Sequence, residues 1–125
     1  MTPFGTSMHY FVGRVPDDWS VKLISRTVAE DRVVDEVMLS FTHDCEMPAI
    51  LPGVRPTGRK VTIPFVVVVG FEGGKVAFER IYWDQASVFT QIGLIDKAGL
   101  PVTGAEQAAR LLDSSLPSNT LIPKA

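Results

Sequence analysis

The chain has 125 residues, of which 46% are hydrophobic, and its charged residues nearly cancel to a formal net charge of -2. A chain of this size and apolar content can bury one core, so we predict a single domain over residues 1–125. The longest basic run, Arg59-Lys60, is too short to bind a phosphate backbone, which excludes nucleic acid as the expected partner.

The same composition argues against metals, disulfides and membranes. There is one cysteine and no paired Cys/His spacing, so we expect neither a disulfide nor a metal site. The N-terminus lacks a basic segment followed by a long apolar run, and the most apolar stretch, residues 63–69, is too short to cross a bilayer. These features predict a cytoplasmic protein without a membrane-spanning segment.

Four β-strands are predicted before residue 84. Residues 1–20 mix aromatic and apolar side chains with Gly and Pro, which allows about one or two helical turns at residues 7–12. Residues 21–28 and 32–43 are predicted as a hairpin, followed by a long loop rich in Pro and Gly over residues 45–59. Residues 60–71 and 75–83 form a second hairpin, because Gly73-Gly74 fits a turn with positive φ.

Two short helices are predicted after the strands. Apolar residues recur at helical spacing over residues 85–94, where Gly93 suits a terminating cap. Thr103-Gly104-Ala105-Glu106 has the form of a capping box and begins a second helix. Consecutive strands joined by hairpins and flanked by short helices predict an α+β fold with an antiparallel sheet.

The second hairpin predicts which side chains share a pocket. In a regular two-residue turn Glu72 pairs with Lys75, and residues then alternate between the two faces of the sheet. One face would be mostly apolar with a few polar groups, namely Ile63, Phe65, Val67, Val69, Phe78, Arg80, Tyr82 and Asp84. Such a face favours a pocket for a small apolar organic ligand, with Phe65, Val67, Arg80 and Tyr82 as binding residues.

The opposite face of this hairpin is too apolar to remain in water. By the same alternation it would carry Val66, Val68, Ile81 and Trp83. The chain has few helices that could cover it. We therefore predict a homodimer in which a second copy packs against this face.

The strand over residues 32–43 places Asp35, Phe41 and His43 on one face. Asp35 and His43 are about 26 Å apart along an extended strand, so they cannot share one small site. We assign His43 and Phe41 to the pocket, because they adjoin the long loop, and Asp35 to a rim or structural role. His43 could act as a base, an acid or a hydrogen-bond donor, and a satisfied structural histidine is the alternative.

Asp84 lies where the last predicted strand meets a helix. Its carboxylate can face the pocket and transfer protons, or it can accept hydrogen bonds as a helix N-cap. Arg80 also has two interpretations: a buried guanidinium that requires a partner, or a rim residue whose charged end reaches water. Local sequence leaves both pairs of alternatives open.

Five short segments occur in a recognisable order: Phe41-Thr42-His43, Pro56-Thr57-Gly58-Arg59-Lys60-Val61, Gly74-Lys75-Val76, Trp83-Asp84 and Gln91-Ile92-Gly93-Leu94. Together they resemble the SnoaL-like polyketide cyclase and ester cyclase group of the NTF2-like superfamily, over about residues 21–94. The resemblance implies a cone of curved antiparallel sheet and short helices around a pocket, usually as a homodimer. Members begin with helices that close the cone, and we expect these to be abbreviated or missing here.

The resemblance also implies an activity. In the cyclases an aspartate matching Asp84 is the general acid/base of an aldol ring closure without metal or cofactor, and a histidine matching His43 lines the site. This implies a cofactor-independent cyclase, isomerase or dehydratase with Asp84 and His43 as catalytic residues. A noncatalytic ligand-binding or assembly module and an epoxide hydrolase are the alternatives. An epoxide hydrolase would need two carboxylates and an arginine around one water, and the estimated position of Asp35 argues against it.

Overall fold

The computed structural model describes residues 15–117 and 120–122. Its elements are β1 (Ser20–Val28), β2 (Arg32–Thr42), β3 (Lys60–Glu72), β4 (Lys75–Trp83), α1 (Gln85–Gln91) and α2 (Gly104–Leu112). The four strands form one antiparallel sheet in the order β1-β2-β3-β4. The predicted α+β fold class and both predicted hairpins are confirmed. The helical turns predicted at residues 7–12 lie outside the described residues.

The bounds of the elements differ from the predictions by a few residues. α1 ends at Gln91 because Ile92 is its C-cap and Gly93 follows with a φ of 82°. Between β2 and β3, the segment rich in Pro and Gly is irregular apart from a bridge between Met47 and Leu51. No helix in the described ranges is long and apolar enough to cross a membrane.

One face of the sheet forms the hydrophobic core, and we call it the core face. Alternate residues of β2 and β3 are buried there, in keeping with the two-residue period of a strand. The core-face residues of these two strands are Asp35, Val37, Leu39, Phe41, Val61, Ile63, Phe65, Val67 and Val69. Val88 and Ile92 from the region of α1, and Met47, Ile50 and Leu51 from the loop, complete the cluster.

The pairing of β3 with β4 departs from the regular alternation that we predicted. Glu72 does pair with Lys75, around two glycines with φ of 59° and 77°. The register then shifts between Gly70 and Phe71, so that Gly70 pairs with Phe78. A Cβ at Gly70 would overlap the Phe78 ring, so the glycine permits the ring to lie across the strand at this irregularity.

The shift exchanges the two faces of β4, because moving the register by one residue turns every side chain over. Glu79, Ile81 and Trp83 now share the core face, since they pair with Val69, Val67 and Phe65. Phe78, Arg80 and Tyr82 lie on the opposite, outer face with Val66 and Val68. The predicted grouping of Arg80 and Tyr82 with Phe65 and Val67 is therefore wrong. So is the grouping of Val66 and Val68 with Ile81 and Trp83.

Candidate functional site

Asp84 is the N-cap of α1. Its Oδ1 accepts a hydrogen bond from the Ser87 backbone N at 3.2 Å, and its Oδ2 accepts one from Ser87 Oγ at 2.9 Å. Ser87 Oγ in turn accepts the Gly104 N–H at 2.8 Å, where a side chain in place of glycine would overlap the hydroxyl. The carboxylate thus joins the starts of both helices, and its catalytic role stays a prediction.

His43 follows β2 directly, is fully buried, and forms hydrogen bonds to Thr57 in the long loop between β2 and β3. The backbone N of Thr57 donates to Nδ1 at 3.2 Å, and Thr57 Oγ1 lies 3.1 Å from the same nitrogen. An Nδ1 that accepts from a backbone N–H places the proton of the neutral ring on Nε2. Nε2 is buried and has no partner in the described part of the chain. Burial lowers the pKa of His43, which favours this neutral ring.

The structure brings to the core face a carboxylate that the sequence prediction missed. Glu79 pairs with Val69, and both of its Oε atoms are shielded from solvent without a hydrogen-bond partner among the described residues. Burial raises the pKa of Glu79. The available signal was Gly70, because an isolated glycine within a strand pattern often marks a bulge.

A second polar feature of the core face is the ion pair between Arg26 and Asp35. Arg26 Nε donates to Oδ1 at 2.7 Å and Nη2 donates to Oδ2 at 2.8 Å, so two parallel bonds hold the pair. Asp35 is fully buried, and the Arg26 side chain is 27% exposed. Asp35 therefore lies in the interior rather than at a rim, with its charge balanced by Arg26.

Sheet register relates these groups to one another. Asp35 pairs with Val67, which pairs with Ile81, so Asp35 lies one core-face row away from Glu79. Strand spacing and rise place the Cα atoms of Asp35 and Glu79 about 12 Å apart. His43 donates its backbone N–H to Arg59, ten residues from Val69 along β3, or about 33 Å. The structure therefore separates His43 from Glu79.

The predicted apolar lining residues lie on the core face. Phe65 stacks on Trp83 with 5.4 Å between ring centroids, and Phe41 stacks on Trp19 at 5.5 Å. Val67 is fully buried and lies on β3 between Phe65 and Val69, the residue that pairs with Glu79. Trp83 is held in place because its Nε1 donates to Gln85 Oε1 at 2.6 Å.

Arg80 and Tyr82 lie on the outer face. The Arg80 guanidinium packs over the Phe78 ring, 4.3 Å from its centroid, and Arg80 is exposed. Tyr82 is 58% exposed. Neither residue shares the core face with Glu79, and the predicted contact of Arg80 with a pocket ligand stays a prediction that this register does not favour. Tyr82 instead lines a groove at the edge of β4, where its contact with a ligand stays a prediction.

An apolar groove runs along the free edge of β4. It has a volume of about 470 Å³ and is lined by Ala49, Ile50, Pro52, Ile81, Tyr82, Trp83 and Gln85. Ile81 is two residues from Glu79 on the same face, a separation of about 7 Å. A cleft of about 570 Å³ lies around residues 97–103 and 120–121, and one of about 230 Å³ is lined by α1 and by residues 102–106, including Ser87, the partner of Asp84. Asp35 and Glu79 line neither cleft. Among the described residues, no group of three or more His, Cys, Asp or Glu side chains could hold a metal ion.

The chain is similar to known proteins in sequence and in fold. The model of the SnoaL-like polyketide cyclase family matches residues 9–92. The chain is similar to AclR of Streptomyces galilaeus, a candidate hydroxylase, with 27% identity, a TM-score of 0.53, and 62% of this chain and 56% of AclR covered. It is similar in fold to a candidate SnoaL-like polyketide cyclase from Jannaschia sp. CCS1, with 24% identity, a TM-score of 0.60, and 73% and 60% covered.

TsrD of Streptomyces laurentii has the same fold, with 18% identity, a TM-score of 0.57, and 74% of this chain and 65% of TsrD covered. The chain thus spans only 56% and 60% of the lengths of the first two solved relatives. Comparison with curated proteins gives no match. The family model covers more than half of the chain, and its match agrees with the antiparallel sheet and two helices: the chain belongs to the SnoaL-like polyketide cyclase family.

Proposed function

We propose that this chain is a cofactor-independent enzyme that transfers a proton next to the carbonyl group of a small apolar compound. The proposed reaction is of the cyclase, isomerase or dehydratase type, with Glu79 as general acid/base. The observation that carries the proposal is the buried Glu79 carboxylate, which has no hydrogen-bond partner among the described residues. An unpaired carboxylate is costly to bury, and such groups concentrate at functional sites.

The surroundings of Glu79 suit proton transfer. Because burial raises its pKa, both the carboxylate and the carboxylic acid become accessible nearer to neutral pH. As a carboxylate, Glu79 would take a proton from the carbon beside the carbonyl, and the C–H electron pair would form the C=C bond of an enolate. As an acid, it would return that proton to the product. Val67 and Val69, fully buried beside it, keep water away from the exchange.

The groove supports a neutral and mostly apolar substrate. Ile81, Trp83 and Pro52 give it apolar walls, and Gln85 fixes Trp83 while donating to the Ile50 carbonyl at 2.7 Å. A rigid aromatic wall with few polar groups fits a planar ring better than a charged metabolite. Membership of the SnoaL-like family supports a cyclase-type role for such a compound.

Asp84 and His43 stay the alternative catalytic residues that the family resemblance implies. Two observations favour Glu79 over them. Both oxygens of Asp84 already accept hydrogen bonds from Ser87, whereas the Glu79 oxygens accept none from the described residues. His43 lies beside Arg59, just before the start of β3, whereas Asp35 pairs with Val67 near the other end of that strand. His43 is therefore remote from the charged groups of the core face.

An epoxide hydrolase is a second candidate function, and a specific observation supports it. Arg26, Asp35 and Glu79 supply two carboxylates and an arginine on one face, which such an enzyme would need around a water molecule. In this reaction one carboxylate would take a proton from the attacking water while an acid protonates the opening oxygen. A noncatalytic binding module is the third candidate and requires no proton transfer at all.

Deuterium exchange distinguishes the three functions. The protein is incubated in D₂O with a panel of neutral polycyclic ketones and lactones, and in a parallel panel with epoxides. Mass spectrometry then follows deuterium at the carbon beside the carbonyl, or formation of the diol. We expect enzyme-dependent deuterium uptake by at least one carbonyl compound. Diol formation alone would indicate the hydrolase, and saturable binding without either reaction would indicate the binding module and contradict the proposal.

A further inference from the structure

Asp35 holds the Arg26 guanidinium in one orientation and accepts hydrogen bonds from one edge of it. Asp35 engages one edge of it through Nε and Nη2, in two bonds of 2.7 and 2.8 Å. A guanidinium carries five N–H donors in a fixed plane, so three of them, including both on Nη1, are left over. Nη1 makes no hydrogen bond within the described residues, and the side chain is 27% exposed.

Stability alone does not explain the pair. Burying Asp35 completely removes a carboxylate from water, and an apolar pair of similar volume would often stabilise a fold as well or better. The pair does achieve a fixed direction for the remaining N–H donors, because two parallel bonds leave the guanidinium little rotational freedom. A fixed charged donor at the edge of an apolar face is suited to binding an oxygen atom.

The position of the pair relates it to Glu79. Arg26 pairs with Asp35 across β1 and β2, and Asp35 lies one core-face row from Glu79. The Cα atoms of Asp35 and Glu79 are about 12 Å apart, so a molecule that contacts both Glu79 and the free end of Arg26 would have to span the β3 residues Val67 and Val69 between them. Glu79 would approach that molecule from the β4 side and Arg26 from the β1 side.

We propose that Arg26, held by Asp35 as a positioning residue, binds the carbonyl oxygen of the substrate from which Glu79 removes a proton. This inference rests on the proposed function. When Glu79 takes the proton, the C–H pair becomes the C=C bond and the carbonyl π pair moves onto oxygen. Arg26 Nη1 then donates to that oxygen more strongly than it does to the neutral carbonyl, which lowers the barrier. The substrate class is accordingly a neutral compound that ionises to an oxyanion.

The test uses naphthols, whose ionised form imitates an enolate and is distinguished from the neutral form by its absorbance and fluorescence. Binding is measured below the pKa of the free naphthol, with naphthalene as the probe that lacks the oxygen. We expect the bound naphthol to be more ionised than the free one. Arg26→Gln should abolish this preference, a change of about tenfold or more in affinity for the naphtholate over the naphthol.

Two further variants address folding and the role of Asp35. Since Arg26→Gln leaves Asp35 buried and unpaired, the double variant Arg26→Met with Asp35→Leu removes both charges together. Asp35→Asn, which releases the guanidinium, should weaken naphtholate selectivity while naphthalene binding is unchanged. Arg80→Gln, on the outer face, is the matched control and should leave the spectrum of the bound naphthol unchanged.

Loss of the naphtholate signal in the double variant, with naphthalene still bound, would support the inference. A naphtholate preference that persists there would overturn it, as would the absence of saturable naphthol binding to the unaltered chain. The proposed function fails separately, because it depends on deuterium exchange. If Arg26 selects naphtholate but Glu79→Gln leaves exchange intact, then the role of Glu79 is wrong and that of Arg26 stands.

Discussion

Val69 lies directly opposite Glu79 in the sheet, and this pairing turns the Glu79 carboxylate toward the core face. One residue of register separates this arrangement from a regular hairpin, in which Phe78 would oppose Val69 and Glu79 would face outward. The candidate site therefore depends on the irregularity at Gly70 and Phe71.

Gly70→Ala is expected to destabilise the fold by about 1–3 kcal/mol, because the new methyl group overlaps the Phe78 ring. Urea unfolding followed by fluorescence measures the change. Phe78→Ala combined with Gly70→Ala removes the overlap and should recover part of the loss. If Gly70→Ala unfolds at the same urea concentration as the parent, then close packing of Phe78 on Gly70 does not hold the register.

The irregularity at Gly70 and Phe71 separates the features that the sequence predicts correctly from those that it does not. Strand and helix positions were predictable because apolar residues alternate in β2 and β3 and because Gly73-Gly74 marks a turn. The faces of β4 were not, since the pattern over Val76, Phe78 and Ile81 is compatible with either register. Arg26 was missed because its partner Asp35 is nine positions away, and the sequence shows neither their pairing nor the burial of Asp35.

The stability of the fold should depend on pH through Glu79. Burial raises its pKa above the ordinary value, so the stability it contributes is fully present below the unfolded pKa and is lost as pH rises through the folded pKa. Glu79→Gln should therefore be more stable than the parent at neutral pH, and the difference should shrink below about pH 4.3. Thermal unfolding across this range measures it. A difference that is the same at every pH would contradict a buried ionisable Glu79.

His43 should produce the opposite dependence. Burial outweighs the nearby Asp44 charge and lowers the pKa of His43, so its contribution is present above the unfolded pKa of about 6.5 and is lost as pH falls through the folded pKa. His43→Gln should lose this acid-sensitive phase of unfolding, while Glu79→Gln retains it. Equal acid sensitivity in His43→Gln and the parent would show that the imidazole is not responsible.

The homodimer stays a prediction, and the structure changes the variant that tests it. Val34, Val66 and Val68 are half-buried on the outer face, whereas Trp83 faces the core. Val68→Lys would place a second positive charge directly opposite Arg80 in an interface on that face and should raise the dimer dissociation constant by more than about tenfold. Sedimentation equilibrium measures it, with Val28→Lys as a control at an exposed strand end. A monomeric parent at micromolar concentration would refute the dimer.

The role of Glu79 is tested by comparing Glu79→Gln with Asp84→Asn in the deuterium-exchange assay, on whichever ketone the parent protein exchanges. Both changes replace a carboxylate by an amide of the same shape, and Asp84→Asn keeps much of the N-cap that Ser87 requires. If Glu79 is the general acid/base, Glu79→Gln lowers the exchange rate by about 10²-fold or more while it stays folded, and Asp84→Asn lowers it by less than about tenfold. Normal exchange by Glu79→Gln, with the loss confined to Asp84→Asn, would contradict a catalytic Glu79 and return the acid/base role to Asp84.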